Sequence, residues 1–272
     1  ANFGTLWVGS NRPQEANEYE HLFVSISMFN SRFDEFFALL DSDFYDYIVI
    51  DEAHHSQADS YRKLFDHFQP QLLVGLTATP ERMDGKDLRP DFGNRISAEI
   101  RLPQALQAGL LTPFQYLCIS DDTDLSDDSL WSGQKYNIER LADKLCAKTR
   151  ARLIVDALHK YLADEYTCRA LCFCVNKRHA DFMAEQLRLY GFNAQSLTSD
   201  TPADERKQLA KDLREGTLHY LCVVDIFNEG VDIPEVDTVL FLRPTESLTI
   251  FLQQLGRGLR LSAGKTELTV LD

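Results

Sequence analysis

Short apolar runs alternate with helix-like stretches along most of the chain. The run Tyr47–Ile50 has no polar alternation, which is typical of a strand buried on both faces of a parallel sheet. A helix-like stretch over residues 57–68 follows, and a second apolar run covers residues 72–77. Strand, helix and strand at this spacing predict a right-handed crossover with parallel strands, so we expect an α/β fold.

The same pattern continues on both sides of this unit. Residues 1–21 are polar and predict no regular structure, whereas residues 21–27 predict a strand and residues 30–40 a helix. A short helix at 103–109 and a strand at 115–119 come next. After residue 137 the alternation resumes, with strands predicted at 169–175, 194–197, 219–224, 238–242 and 267–271, and helices at 137–164, 178–189, 202–214 and 248–255.

An acidic segment separates the two parts. Residues 121–128 contain five aspartates and one leucine, a composition typical of a solvated connector. We therefore place the first domain at residues 1–120, the connector at 121–136 and the second domain at 137–272.

Composition adds limits to this picture. The 272 residues are 44% hydrophobic and 26% charged, enough for about two globular domains. The sequence has no apolar run of about 18 residues and no basic-then-apolar leader, which predicts a cytoplasmic protein without membrane contact. The six cysteines form no CxxC pair, so we expect buried free thiols. A net charge of −14 argues against indiscriminate nucleic-acid binding but allows a local basic track.

Candidate chemistry begins where the two apolar runs end. Asp51 and Glu52 follow the first run, and Thr77 and Thr79 follow the second. Parallel sheets bind ligands beyond the carboxyl ends of their strands, so these groups would meet a nucleotide or a metal there. A solvated acidic loop and ordinary Thr-Pro turn chemistry are the alternatives.

Two further segments, in the second part, carry candidate functional groups. Gly230 permits a tight turn after the strand at 219–224. Arg257 and Arg260 are three residues apart, a spacing that would place two guanidinium groups on one helical face, with glycines nearby to allow close approach of a ligand. Such a pair is suited to clamp phosphate, and a surface ion-pair helix is the alternative.

Taken together, four motifs occur in a fixed order. Asp-Glu-Ala-His, Thr-Ala-Thr-Pro, Glu-Gly-Val-Asp-Ile-Pro and Gln-x-x-Gly-Arg-x-x-Arg follow one another between residues 51 and 260. This order resembles motifs II, III, V and VI of superfamily 2 DEAD/DEAH-box helicases and translocases, and it is most similar to motors of the type III restriction enzyme group. The resemblance implies two RecA-like parallel-sheet domains with a cleft between them, the first incomplete at its N-terminus.

The resemblance also implies roles for the motif residues, with ATP and Mg²⁺ as cofactors. Asp51 would hold Mg²⁺ through water, and Glu52 would activate the attacking water. His54 would report nucleotide state by pairing with Gln253. Further implied roles belong to Thr77 and Thr79 (link to the nucleic-acid track), to Gly230 and Asp232 (nucleotide binding, with Asp232 on the ribose), and to Arg257 and Arg260 (arginine fingers).

Nucleic acid, in particular DNA, is the implied partner, together with flanking domains of a longer chain. Candidate contacts lie at strand ends, and capping or solvation is the alternative for each. They are Ser25, Ser27, Asn176, Lys177, Thr198 and Ser199.

The chain departs from the family pattern in two places. No Gly-x4-Gly-Lys-Ser/Thr phosphate-binding loop occurs in residues 1–50, so we predict a motor fragment that hydrolyses ATP negligibly by itself. Motif V has Val224-Asp225 and Glu229-Gly230 where many relatives have Thr-Asp and Arg-Gly. These changes favour a translocase that tracks duplex DNA over a strand-separating helicase.

Two functions therefore remain open. The first is the catalytic core of an ATP-dependent helicase or translocase. The second is a non-catalytic module with a degenerate helicase fold that binds nucleic acid or a partner. Retention of Asp51, Glu52, Arg257 and Arg260 favours the first.

Overall fold

A computed structural model describes residues 3–7, 12–56, 58–78, 87–121, 123–133, 135–224, 233–245 and 247–272. The chain forms two compact units, residues 1–99 and residues 100–272. Each unit has its own parallel strands and its own apolar core, which confirms the predicted α/β class.

The first unit contains two pairs of parallel strands. β1 pairs with β2 and β3 pairs with β4. The pairing of β3 with β4 confirms the parallel unit predicted for residues 47–77, whereas the pairing of β1 with β2 was not predicted. The elements are β1 (Thr5–Trp7), β2 (Leu22–Val24), α1 (Ile26–Ser31), α2 (Phe33–Leu39), β3 (Tyr47–Ile50), α3 (Asp59–His67) and β4 (Leu72–Gly75).

Strand β1 lies in the segment that the sequence pattern predicted to be irregular. It is only three residues long, which is too short to show the alternation of a strand. Its place in the fold is fixed by Trp7, which is buried and stacks on Phe36 with ring centroids 4.6 Å apart. Phe29, Leu40 and Phe68 complete this apolar core.

Strand β3 is buried on one face only, contrary to the sequence prediction. Tyr47 and Val49 are 69% and 58% exposed, whereas Ile50 is buried. Successive side chains of a strand point to opposite faces, so an unbroken apolar run can still present one face to solvent. The run predicted the strand correctly but overestimated its burial.

The second unit is built on a six-stranded parallel sheet with strand order β5-β12-β11-β8-β10-β9. Every residue of β8, β10 and β11 is buried, as expected for strands covered on both faces. The strands are β5 (Phe114–Leu117), β8 (Ala170–Phe173), β9 (Ala194–Leu197), β10 (Tyr220–Val223), β11 (Thr238–Phe241) and β12 (Leu268–Leu271), and a small hairpin joins β6 (Trp131–Ser132) to β7 (Lys135–Tyr136). The helices are α4 (Leu102–Gln107), α5 (Ile138–Leu145), α6 (Lys148–Tyr161), α7 (Lys177–Leu189), α8 (Ala203–Glu215) and α9 (Leu248–Gly258).

The division between the units lies earlier than the predicted connector. Strand β5, which we assigned to the first domain, pairs along its length with β12. The acidic segment also packs onto the second unit, since Asp121 forms an ion pair with Arg150 (2.8 Å) and Leu125 packs against the buried side chains of Leu141 and Leu145. Local composition cannot reveal these long-range contacts, and this explains why the acidic run was taken for a boundary.

Four of the six cysteines are buried in the second unit, as expected of free thiols, whereas Cys118 is exposed. Within the described ranges, no helix is both long and apolar enough to cross a lipid bilayer.

Candidate functional site

The acidic pair lies in a tight turn at the carboxyl end of β3. Glu52 has left-handed backbone angles (φ 48°, ψ 48°), a conformation that is uncommon for residues other than glycine and is often found at functional sites. The turn is held against the end of the neighbouring strand β4, because the Ala53 N–H donates to the Leu76 carbonyl (2.8 Å) and the Leu76 N–H donates to the Ile50 carbonyl (2.8 Å). The two strand ends therefore meet.

This close approach explains the glycine at the end of β4. A Cβ atom added to Gly75 would lie 2.9 Å from the Ala53 Cβ and 2.8 Å from two ring carbons of Phe92. Only glycine therefore lets the acidic turn sit directly on β4.

His54 joins the two strand ends through its side chain. Its imidazole is buried, and Nδ1 lies 3.1 Å from Thr77 Oγ1 and 3.3 Å from Glu52 Oε2. Glu52, His54 and Thr77 thus form one cluster at the carboxyl ends of β3 and β4. The sequence placed Glu52 and Thr77 on neighbouring strands, and the structure brings them together in this way.

Asp51 is exposed beside this cluster, and its Oδ1 accepts the Glu52 N–H (2.9 Å). Partial burial raises the pKa of Tyr61, and the negative charges of Asp51 and Glu52 raise it further. Among the described residues, no three His, Cys, Asp or Glu side chains converge as a metal cage would require. A single exposed carboxylate suits Mg²⁺, which keeps several waters and binds substrate phosphates.

Residues outside the motif also support the acidic turn, through hydrogen bonds made by Arg62. Arg62 donates to both carboxylate oxygens of Asp91 (3.2 and 3.0 Å) and to the carbonyl of Ser56 (2.9 Å), the buried residue that ends the turn. Sequence reasoning did not find Arg62, Ser56 or Asp91. They match no motif, and Arg62 and Asp91 are 29 residues apart.

The arginine segment, residues 257–260, lies in the second unit at the end of α9. The helix starts at a Ser247 cap and ends at Gly258, so Arg257 is in its last turn and Arg260 lies beyond it. The expectation that both arginines share a helical face was wrong, because the helix stops between them. Gln253 is half-buried in the same helix.

Gly258 was expected to allow a ligand to approach the backbone, but the structure shows that it allows close packing of α9 on the sheet. A Cβ atom there would lie 2.6 and 2.8 Å from the two methyl carbons of Leu268 and 3.1 Å from Val239 Cγ2. The glycine allows α9 to pack closely on the sheet, so helix packing explains it without any ligand.

The candidate nucleic-acid residues of the second unit gather at the ends of β8 and β9. Lys177 Nζ bonds Asp200 Oδ1 (2.6 Å), Ser199 Oγ donates to the same oxygen (3.5 Å), and Thr198 Oγ1 accepts the Asp200 N–H (3.3 Å). Asn176 caps α7 by accepting the His179 N–H (3.0 Å). The capping alternative therefore applies to Asn176 and Thr198.

In the first unit, Ser25 caps α1 by accepting the Met28 N–H (3.1 Å), and Ser27 is exposed. Three further predicted residues, Thr79, Gly230 and Asp232, lie outside the described residues. The carboxylates belong to the first unit and the arginines to the second. The pairing of His54 with Gln253 and the reach of Arg257 and Arg260 toward a shared phosphate therefore stay predictions.

Two family descriptions match the chain. Residues 1–82 match the res subunit of type III restriction enzymes, and residues 149–262 match the helicase conserved C-terminal domain. The chain is thus a superfamily 2 helicase-like core, as the order of its motifs predicted.

Individual relatives agree with this class. The chain is 30% identical over 232 residues to "Putative ATP-dependent helicase IRC3" of Saccharomyces cerevisiae, covering 83% of this chain and 33% of that protein. It is 26% identical over 278 residues to the type I restriction enzyme EcoKI endonuclease subunit of Escherichia coli, covering 84% of this chain and 24% of that subunit. The chain thus spans a third or less of these two relatives.

A solved structure shows the same fold. The fragment of a "putative HsdR subunit" of a type I restriction enzyme from Vibrio vulnificus superposes with a TM-score of 0.71 at 26% identity. The match covers 93% of this chain and 47% of that one.

Proposed function

We propose that this chain is the catalytic core of an ATP-dependent helicase or translocase that moves on nucleic acid. The observation that carries the proposal is the cluster of Glu52, His54 and Thr77 at the carboxyl ends of two parallel strands. Glu52 holds a left-handed backbone there, although a relaxed turn would suit a merely solvated acidic loop. The helicase-named relative supports the same assignment.

In this proposal the acidic turn performs the proton chemistry. Glu52 accepts a proton from the attacking water and orients it, a role that contributes about 10²–10⁴-fold in rate. His54 Nδ1 lies 3.3 Å from the Glu52 carboxylate, and Thr77 holds the His54 ring in turn through a contact of 3.1 Å with the same nitrogen. Asp51 would hold Mg²⁺ through water, and bound Mg²⁺ with ATP supplies charge neutralisation at the phosphates.

Arg257 and Arg260 have the complementary task of stabilising negative charge as it develops on the transferred phosphoryl group. Arginine fingers in other enzymes contribute about 10³–10⁵-fold. Since the arginines and the carboxylates belong to different units, hydrolysis would depend on closure of the two units around the nucleotide. Opening and closing would then step the protein along its track.

We propose DNA as the track, because a relative is named as a restriction enzyme subunit. Candidate contacts in the second unit are Lys177 and Ser199, which share Asp200 as a partner. In the first unit the exposed Ser27 is the candidate. The motif V residues Val224-Asp225 and Glu229-Gly230 favour movement along duplex DNA without strand separation.

The test is ATP hydrolysis by a form of the protein that includes the phosphate-binding loop. Rates are measured without polymer and with single-stranded DNA, duplex DNA and RNA, for the wild type and for Arg260→Ala. We expect stimulation by duplex DNA and a loss of at least about 10³-fold in the variant. Equal rates in the two proteins would contradict the role of Arg260, and stimulation by RNA alone would contradict DNA as the track.

A second candidate is a non-catalytic module that binds nucleic acid or a partner. It is favoured by one observation, the lack of a Gly-x4-Gly-Lys-Ser/Thr loop in residues 1–50. That loop supplies the backbone N–H groups and the lysine that hold phosphates. Nucleic-acid binding without ATP turnover in the longer form would favour this candidate.

A further inference from the structure

The side chain of Lys265 contacts the backbone of the arginine segment. Its ammonium donates to three backbone carbonyls: Gly258 (2.5 Å), Arg260 (3.0 Å) and Pro234 (3.1 Å). Two of these carbonyls belong to the end of α9 and the residues just beyond it, where helix carbonyls lack partners within the helix. An ammonium has three N–H donors, and here each has a carbonyl to meet.

Thr112 holds the same segment from the other side. Its N–H donates to the Leu259 carbonyl (2.8 Å), and its hydroxyl donates to the Arg260 carbonyl (2.9 Å). Thr112 is 1% exposed and lies just before β5, at the edge of the sheet. Consecutive carbonyls at 258, 259 and 260 are therefore all fixed by groups from outside the helix.

The third carbonyl extends the contact to another motif. Pro234 ends the Glu-Gly-Val-Asp-Ile-Pro sequence that resembles motif V, and the neighbouring Ile233 is buried in the core. Lys265 therefore joins the end of motif V to the end of motif VI through a single charged group. Neither motif contains Lys265 or Thr112.

The ammonium of Lys265 loses hydration because its side chain is half-buried. This burial lowers its pKa to about 8 despite the opposing negative charges of Asp237 and Glu235. A depressed pKa means that desolvation of the ammonium outweighs what its partners return. An apolar side chain would fill this space without that cost, but it would leave the carbonyls of Gly258, Arg260 and Pro234 without the ammonium.

We propose that Lys265 and Thr112 act as a positioning pair that fixes the direction of Arg257 and Arg260 and couples them to motif V. The two residues hold the backbone carbonyls of Gly258, Leu259 and Arg260, in the segment that carries the two guanidinium groups. This inference rests on the proposed function, because it assigns the two arginines to phosphoryl-group stabilisation. Small errors in position matter there, since a displacement of about 1 Å can reduce a rate about 10²-fold.

Hydrogen exchange in the 272-residue chain tests the positioning directly. Lys265→Met keeps most of the stem and removes the three donors. We expect amide exchange in residues 257–263 to rise at least about 10-fold, while exchange in β8 and β10 stays unchanged. Lys207→Met, at an exposed position of α8, is the matched control and should change neither region. Unchanged exchange at 257–263 in Lys265→Met would overturn the inference.

A second variant keeps the test decisive if Lys265→Met loosens the whole unit. Thr112→Val preserves shape and the backbone N–H but removes the hydroxyl that bonds the Arg260 carbonyl. We expect amide exchange in residues 257–263 to rise less than in Lys265→Met, by about 3-fold. If exchange at 257–263 rises in neither variant beyond the rise in β8, the pair has no local positioning role and the proposal fails.

Steady-state kinetics of the form that includes the phosphate-binding loop separate this inference from the proposed function. Lys265→Met should lower kcat about 10- to 100-fold with KM for ATP changed less than about 3-fold, because transition-state contacts are affected more than ground-state binding. Wild-type kcat in Lys265→Met, beside a large loss in Arg260→Ala, would refute the positioning pair alone. No loss in Arg260→Ala would refute the proposed function, whatever the exchange data show.

Discussion

At the residue scale, two glycines of α9 show how neighbouring positions can have opposite requirements. Gly256 has open space where a Cβ atom would be, whereas at Gly258 the same atom would meet the methyl groups of Leu268. Leu268 is 0% exposed, so it cannot move aside without disturbing the core. The motif Gly-Arg-Gly therefore contains one glycine that packing demands and one that it does not.

Replacing each glycine by alanine should give opposite changes in the free energy of unfolding. Gly258→Ala should destabilise the second unit by about 1–2 kcal/mol, because it overpacks the contact between α9 and the sheet. Gly256→Ala should stabilise it by about 0.5–1 kcal/mol, because alanine favours helix more than glycine does. Urea unfolding followed by circular dichroism measures both, and equal changes would contradict the packing explanation.

His179 makes a pH-dependent contribution to stability. The side chain is fully buried, and Nδ1 accepts the Val175 N–H (3.3 Å). Burial lowers its pKa from 6.5 to about 3, with a further effect from the positive charges of Arg150 and Arg178. Between pH 6.5 and 3 the unfolded chain therefore binds a proton that the folded chain does not, so stability falls as the pH falls.

Because of His179, the free energy of unfolding should fall by about 2–3 kcal/mol between pH 7 and pH 4.5. The fall is about 1.4 kcal/mol for each pH unit below the pKa of the unfolded state. His179→Gln, which cannot titrate, should show a pH dependence smaller by that amount. His159→Gln is the control, since His159 is exposed and bonded to Glu165. Urea unfolding at the two pH values provides the comparison, and equal pH dependence in wild type and His179→Gln would refute this account.

At the element scale, the acidic turn depends on a contact from a distant segment. The 3₁₀ turn Arg89–Phe92 supplies Asp91, whose carboxylate is held by Arg62 of α3. The Asp91 side chain is 12% exposed, so its charge is partly removed from water and needs its partner. Two elements outside the Asp-Glu-Ala-His motif, α3 and the 3₁₀ turn, therefore support the turn after β3.

Removing this support should loosen the first unit. Asp91→Ala leaves Arg62 without its carboxylate and should cost about 1–3 kcal/mol. Asp87→Ala is the matched control, because its ion pair with Arg89 is exposed to solvent and should contribute little to stability. Thermal unfolding of both variants measures the difference, and hydrogen exchange at residues 50–56 shows whether the turn itself loosens. A similar effect of the two substitutions would show that this support is unimportant.

Most elements were predictable because each has a strong local pattern. The strand at 194–197 and the core of β8 were found with near-final boundaries, since their apolar runs end in polar or turn residues. Strand β1 was missed because three residues carry too little pattern. The end of α9 was placed three residues early, because Gly256 and Gly258 obscure a helix that continues through them.

At the scale of the whole molecule, the class was predictable from four short motifs in order. The supporting contacts were not, because they join residues that are far apart along the chain. The Thr112 hydroxyl and the Arg260 carbonyl, for example, are separated by 148 positions. Local patterns likewise misplaced the division between units, since the pairing of β5 with β12 unites residues at the two ends of the second unit.

The 272-residue chain should hydrolyse ATP negligibly by itself, because residues 1–50 contain no phosphate-binding loop. The measurement is phosphate release with DNA present. Turnover at motor-like rates that is lost in Glu52→Gln would show that other residues hold the phosphates.

The most direct test of the catalytic assignment is single-turnover ATP hydrolysis by Glu52→Gln in a form that carries the loop, with DNA bound. The substitution keeps the size of the side chain but removes the base next to His54. We predict ATP binding within about 3-fold of wild type and a hydrolysis rate lower by at least about 10²-fold. Hydrolysis at the wild-type rate would contradict the assignment of Glu52 as the catalytic base, and with it the motor function proposed for this fold.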